Sequence, residues 1–252
     1  MTDARARPEI SGNLVGKMST SPLRVLAAAA FLALSAGCAT MTSAGVAISE
    51  PANLGALKTQ LRAYHDSGAY ERAVSAVTAR AEAYIIQRAS QVSKPALVLD
   101  IDETSVSNWG VMVADDFGYI PNGGCDALPH GPCGQLEWDH LGRATAIAGT
   151  LALYHTARDH NVAVFFITGR GEAERDWTES NLHAAGYSDW SDLRLRPADS
   201  HGATGPFKAA ERARIEALGY TIIANVGDQQ SDLEGGHAER TFKLPNPYYF
   251  IP

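Results

Sequence analysis

The stretch ALVLDIDETSVSN, Ala96–Asn108, decides the fold. Its apolar run, Ala96-Leu97-Val98-Leu99, passes straight into Asp100 and Asp102, two positions apart. A short continuous apolar run bounded by polar residues predicts a strand buried on both faces, here Leu97–Ile101. In an extended chain, side chains at i and i+2 share a face, so the two carboxylates are expected to crowd together at the strand's end. Like charges repel there, and a ligand is needed to make the arrangement favourable.

Downstream, strand and helix patterns alternate. Val162–Thr168, a short segment holding Arg194–Leu195, Tyr220–Val226 and a weak Thr241–Leu244 read as further strands. Arg143–Asp159, Glu172–Ala185 and Pro206–Leu218 read as helices, the last two stopped by Gly186 and Gly219. Apolar strands alternating with helices predict an α/β fold of three Rossmann-like layers, a parallel sheet with helices on both faces. Such sheets bind ligands at the carboxyl ends of their strands. Before the first strand, Leu57, Leu61 and Tyr64 form one helical stripe and Val74, Val77, Ala81 and Ile85 another. The break at Asp66-Ser67-Gly68 makes this an N-terminal segment of two helices. After strand one, the loop-rich insertion at about 109–142 is expected to overhang the strand ends as a small cap.

The beginning of the chain has a different character. Arg24 precedes about ten apolar residues, Val25–Leu34, which fits a signal-peptide core and is too short to span a bilayer. LSAGC, Leu34–Cys38, resembles a bacterial lipobox, which implies cleavage before Cys38 and diacylation of its thiol; ordinary signal-peptidase cleavage nearby is the alternative. Met18 is a possible alternative start. Residues 1–37 are thus expected to be a signal peptide, 38–52 a flexible tether and 53–252 the folded domain. The expected location is the cell envelope, lipid-anchored or periplasmic. By analogy with bacterial lipoproteins, Ala39 rather than Asp after Cys38 favours the outer membrane if the source is a two-membrane bacterium. Losing residues 1–37 removes four basic and two acidic residues and moves the net charge from −7 to −9. An acidic chain without Lys/Arg runs is a poor partner for nucleic-acid polymers, so small molecules are the expected ligands. Cys125 and Cys133 then remain as an even pair in an oxidising compartment, which favours a disulfide. Zinc held with His130 and His140 is the alternative, although no known ligand spacing is matched cleanly.

The strand ends collect residues that break local rules. Asp100 and Asp102 repel, and Asp228 and Asp232 would be a like-charge i, i+4 pair if the segment after Gly227 is helical. Lys208 falls in the first turn of its expected helix, where the macrodipole disfavours a cation. Taken singly, Asp232 could be a helix cap, Lys208 a solvated surface residue and Thr168-Gly169 a strand-to-helix turn. Taken together they fit one ligand set. Mg²⁺ prefers carboxylate and phosphate oxygens, and the Thr168 hydroxyl, the Gly169 amide and Lys208 can hold a phosphate beside it.

The set LVLDIDET, FFITGR, Lys208 and NVGDQQSDL resembles the four motifs of haloacid dehalogenase (HAD) superfamily phosphatases. ITGRGEAERDWTESNLHAAGY, LPNPYYFIP and LRAYHDSGAYERAV are similar to subfamily IIIB acid phosphatases, which include class C bacterial lipoprotein phosphatases and plant vegetative storage proteins. The resemblance implies hydrolysis of small phosphate monoesters, nucleoside monophosphates among them, through an aspartyl-phosphate. It implies Asp100 as nucleophile, Asp102 as general acid and then base, and Thr168, Gly169 and Lys208 as phosphate holders. It also implies Mg²⁺ held by the side chains of Asp100 and Asp228 and the carbonyl of Asp102, with Asp232 in support. Trp138 and Tyr249 are candidates to stack on an aromatic leaving group. A receiver domain uses similar residues, but its phosphorylated aspartate lies mid-chain, whereas here D-x-D-x-T comes first. A lipoprotein that keeps the fold as a binding or adhesion module is the other alternative.

Overall fold

The computed structural model describes residues 50–200 and 202–251; the signal segment and Cys38 lie outside them. Two helices come first, α1 (Leu54–Asp66) and α2 (Ala69–Arg88), with Gly68 at φ 70° turning the chain between them. The first strand, β1, is Pro95–Leu99. Beyond it lie a two-residue strand β2 (Val106–Ser107), two short helices α3 (Trp109–Ala114) and α4 (Gln135–Leu141), and strand β3 (Thr145–Ala146). Then follow α5 (Ala148–Asp159), β4 (Ala163–Gly171), α6 (Arg175–Ala184) and β5 (Asp192–Arg196). The chain ends with α7 (Thr204–Ala217), β6 (Thr221–Gly227), α8 (Gln230–Leu233) and β7 (Arg240–Lys243).

The main sheet runs β5-β4-β1-β6-β7 with every neighbouring pair parallel. With β1 at the centre, the residues just past its end are flanked by the ends of β4 and β6. Alternation along β1 divides the core between two faces. Leu97 and Leu99 join Val77, Ala81, Ile85, Leu153 and Phe166 on the side of α2 and α5. Ala96 and Val98 join Phe165, Ile167, Ile222 and Ile215 of α7 on the other. All four β1 residues from Ala96 to Leu99 are at most 2% exposed, so no face of this strand meets water. The N-terminal helix pair is therefore part of the sandwich: α2 packs along α5, while α1 buries no residue of its own.

Several element boundaries differ from expectation. The expected Arg143–Asp159 helix begins only at Ala148, because Thr145–Ala146 pairs antiparallel with Val106–Ser107 and closes the base of the cap. The helix expected from Pro206 begins at Thr204, since proline is accepted in a first turn. Lys208 is thereby one full turn inside, where the macrodipole penalty has faded. Asp228 precedes α8, so Asp228 and Asp232 are not a helical i, i+4 pair. Instead the Asp232 carboxylate accepts the Gln229 N–H at 2.8 Å and caps the helix.

The cap spans the segment from α3 to α4 and is stapled by a disulfide between Cys125 and Cys133, which takes both thiols away from any zinc site. Trp138 is a core residue of this unit, 5% exposed, with its indole N–H donated to Asn108 Oδ1 at 2.8 Å.

Candidate active site

The strand ends meet in one buried cluster. Chain direction changes just after β1: Ser105 and Val106 both donate backbone N–H groups to the Ile101 carbonyl, and Glu103 adopts φ 53°. Asp100 and Asp102 are thus not held on one face of an extended strand, yet both line the same cavity. The Lys208 ammonium, 3% exposed, lies 2.5 Å from Asp100 Oδ1 and 2.6 Å from Asp232 Oδ1. Oxygens of Asp100, Asp228 and Asp232 all lie within 4.8 Å of one another.

Three buried carboxylates against one ammonium leave the cluster short of positive charge. Burial pushes the Asp100 carboxyl well above the usual range, against the pull of Lys208 and with added repulsion from Asp232 and Asp228. Burial and Asp232 likewise raise Asp228. For Lys208, burial alone would lower the ammonium, but Asp100 and Asp232 hold it above its ordinary value. A hard divalent cation fits this donor set: its ligands would be carboxylate oxygens, and its charge would relieve the repulsion that drives the shifts. Asp100, Asp228 and Asp232 are the residues whose oxygens could hold it. Asp232 accepts Lys208 Nζ on Oδ1 and the Gln229 N–H on Oδ2, one donor per oxygen, so it also orients Lys208 beside the site.

Asp102 occupies a different environment. Arg170 grips it as a fork, Nε donating to Oδ2 at 3.0 Å and Nη2 to Oδ1 at 2.6 Å, while Asn108 Nδ2 donates to Oδ1 at 2.8 Å. Burial would raise this carboxyl, but Arg170 and Asn108 hold it below the usual range. The same Arg170 Nη2 lies 3.1 Å from Asp139 of α4, so one guanidinium ties β4 to both the β1 turn and the cap. One charge does not satisfy both acids: burial, beating the pull of Arg170, pushes Asp139 up to about 7.

Gly169 lines the cavity, whereas Thr168 is fully buried with its hydroxyl accepting the Arg170 backbone N–H at 3.1 Å. Tyr249 lines the cavity too, its hydroxyl donated to Glu103 Oε2 at 2.9 Å; Trp138 is not on the wall. The cavity measures about 730 Å³, within the range of small-molecule sites. Its inner end is acidic, and its outer wall carries Phe117, Tyr119, Leu136, Tyr248 and Phe250. Sequence reasoning named no role for Glu103, Asn108, Asp139 or Asn246, and mentioned Arg170 only as part of T-G-R. Asn246 meets Asp228 across 18 positions, Arg170 meets Asp102 across 68 and Glu103 meets Tyr249 across 146, and no local pattern marks such pairs; Arg170 alone, at a strand's carboxyl end, carried a usable signal.

A parallel three-layer sandwich with its acidic groups gathered past the central strands is the class that this fold and site define. The chain belongs to the HAD superfamily, subfamily IIIB (acid phosphatase), whose family model matches residues 30–252. It is 36% identical over 164 residues to Acid phosphatase 1 of Solanum lycopersicum, covering 61% of this chain and 58% of that protein. The chain thus spans little more than half of that relative. It is also 35% identical over 179 residues to the Stem 28 kDa glycoprotein of Glycine max, covering 69% of this chain and 67% of the relative. Among solved structures it resembles the class C acid phosphatase from Bacillus anthracis, with TM-score 0.59 and 19% identity over 77% of this chain and 86% of that one, a likeness of fold.

Proposed function

We propose that this chain is a magnesium-dependent acid phosphatase that hydrolyses small phosphate monoesters through a covalent intermediate on Asp100. The observation that carries the reading is the buried convergence of Asp100, Asp228, Asp232 and Lys208 at the inner end of one cavity. An Asp100 oxygen attacks phosphorus, and the bond to the ester oxygen breaks. Asp102 donates its proton to that oxygen as it leaves, then takes a proton from the water that splits the aspartyl-phosphate and frees Asp100. Lys208 and the Gly169 amide hold the phosphoryl oxygens, and Thr168 fixes the turn that presents them. Bound Mg²⁺, with Asp100, Asp228 and the Asp102 carbonyl as its protein ligands, would supply charge neutralisation at the phosphoryl group. The aromatic outer wall, Tyr249 included, suits an aryl or nucleoside leaving group.

The proposed setting is the cell envelope, with residues 1–37 removed and Cys38 lipidated, the tether at 38–52 and the enzyme domain at 53–252. The discriminating experiment assays purified chain with p-nitrophenyl phosphate in Mg²⁺ and then in EDTA. Activity that needs Mg²⁺ and vanishes in a folded Asp100→Asn variant is expected. Metal-independent turnover, or turnover retained by that variant, overturns the mechanism. A complete lack of phosphatase activity favours a binding or adhesion module.

A further inference from the structure

We infer that Asn246, in the segment that follows β7, is a positioning residue for the divalent cation and acts through Asp228; the inference rests on the cation reading above. Asp228 is 1% exposed, and three neutral donors converge on its carboxylate. Thr104 Oγ1 donates to Oδ1 at 3.1 Å. Gln229 Nε2 and Asn246 Nδ2 both donate to Oδ2, each at 2.7 Å. A carboxylate oxygen accepts about two hydrogen bonds, so the two amides fill Oδ2 and leave the free acceptor position on Oδ1. Asn246 thereby decides which oxygen faces a cation.

The orientation of the Asn246 amide is fixed by its own neighbours. Its Oδ1 accepts the backbone N–H of Tyr248 at 2.8 Å and of Tyr249 at 3.4 Å. A flipped amide would set its NH₂ against those N–H groups and its oxygen against the carboxylate. The rest of the segment is tied to the same site. Tyr249 O–H reaches Glu103, next to Asp102, and Ile251 N–H donates to Gln229 Oε1 at 3.2 Å. Lys243 Nζ donates to the Asp228 carbonyl at 2.6 Å and fixes the backbone beneath the carboxylate. The segment after β7 therefore lies over the site as a clasp, with Asn246 18 positions downstream of the Asp228 carboxylate that it aims.

Partners that orient a ligating carboxylate commonly change metal affinity by about 10–100-fold when removed. Gln229 keeps one of the two Oδ2 bonds, so loss of Asn246 belongs at the low end. Two variants separate aim from mere folding. Asn246→Ala removes both the donor to Asp228 and the acceptor that turns the tail. Asn246→Ser keeps a short acceptor for the Tyr248 N–H but does not reach Asp228. Mg²⁺ binding is measured by titration calorimetry without substrate, on wild type, Asp228→Asn and both Asn246 variants, followed by kcat against Mg²⁺ concentration. Mg²⁺ affinity in Asn246→Ser is expected to fall about tenfold, with kcat returning toward wild type at saturating Mg²⁺. Wild-type affinity in Asn246→Ser, alongside lost affinity in Asp228→Asn, overturns the role of Asn246 alone. No Mg²⁺ binding by wild type, or unchanged binding in Asp228→Asn, overturns the cation reading and this inference with it.

Discussion

Arg170 carries one positive charge between two carboxylates, the half-buried Asp102 and the buried Asp139, and the geometry divides it unequally. Asp102 takes the fork, while Asp139 receives one nitrogen at 3.1 Å and keeps its proton to about pH 7. Two predictions follow from the two partners. The general acid proposed here, Asp102, works only while protonated, and Arg170 favours its ionised form, so turnover should decline as pH rises through the depressed Asp102 pKa. Replacing Arg170 with Gln should move that decline to higher pH, while lowering kcat at the optimum; a pH profile of kcat/KM checks it. For Asp139 the sign runs through folding. The native state holds a proton that the unfolded chain releases between the ordinary value of 3.8 and about 7, so native stability falls as pH rises through that window. Asp139→Asn removes the titration. Relative to wild type, its melting temperature should gain with pH from 4 to 7, by an amount equivalent to roughly 2–4 kcal/mol, and be level above that.

The turn from β6 into α8 sets the acidic pair by close contact. A Cβ on Gly227 would meet the Asp232 Cβ at 2.3 Å and its Oδ2 at 2.5 Å, and no low-cost rotamer change moves a Cβ. Gly227→Ala should therefore displace Asp232 and release its grip on Lys208. The expected loss is about 100-fold in kcat, since a misplacement near 1 Å is enough, with a stability cost of about 1–3 kcal/mol from overpacking. Steady-state kinetics and thermal melts on one preparation separate the two. Elements of this kind were legible where the pattern was local. The apolar run ending at Leu99, the glycine stops at Gly186 and Gly219, and the acidic residues past β1 and β6 each declare themselves within a few positions. The helix expected from Arg143 starts late, at Ala148, because pairing with Val106–Ser107 is a tertiary choice that overrides helical spacing at its first residues. Arg170–Asp139 and Asn246–Asp228 were illegible for the same reason, since each joins segments whose nearness only the folded sheet creates.

At the scale of the whole molecule, chemistry and selection sit on different parts. The proposed reacting groups stand on the ends of β1, β4 and β6 and on α7, fixed by a core buried on both sheet faces. Much of the cavity's outer wall comes from the cap, which is tied down by side-chain contacts, among them Arg170–Asp139, Trp138–Asn108 and Lys58–Asp116, by the β2–β3 pair at its base and internally by the Cys125–Cys133 bond. That bond closes a sequence separation of 8, and the Cys133 N–H donates to Asp115 Oδ1 at 2.9 Å, so the staple anchors the loop to the end of α3. Closing so short a loop removes unfolded-state entropy worth about 2–3 kcal/mol. Replacing both cysteines with Ser should lower stability by about that amount, and reduction of wild type should reproduce the effect. The kinetic consequence should be uneven. KM for a bulky aryl or nucleoside ester should rise several-fold as the wall loosens, while kcat at saturation changes less, because no cysteine touches the sheet-borne groups. A fall in kcat equal to the change in kcat/KM would mean instead that the cap holds Asp102 in its working position through Asp139 and Arg170.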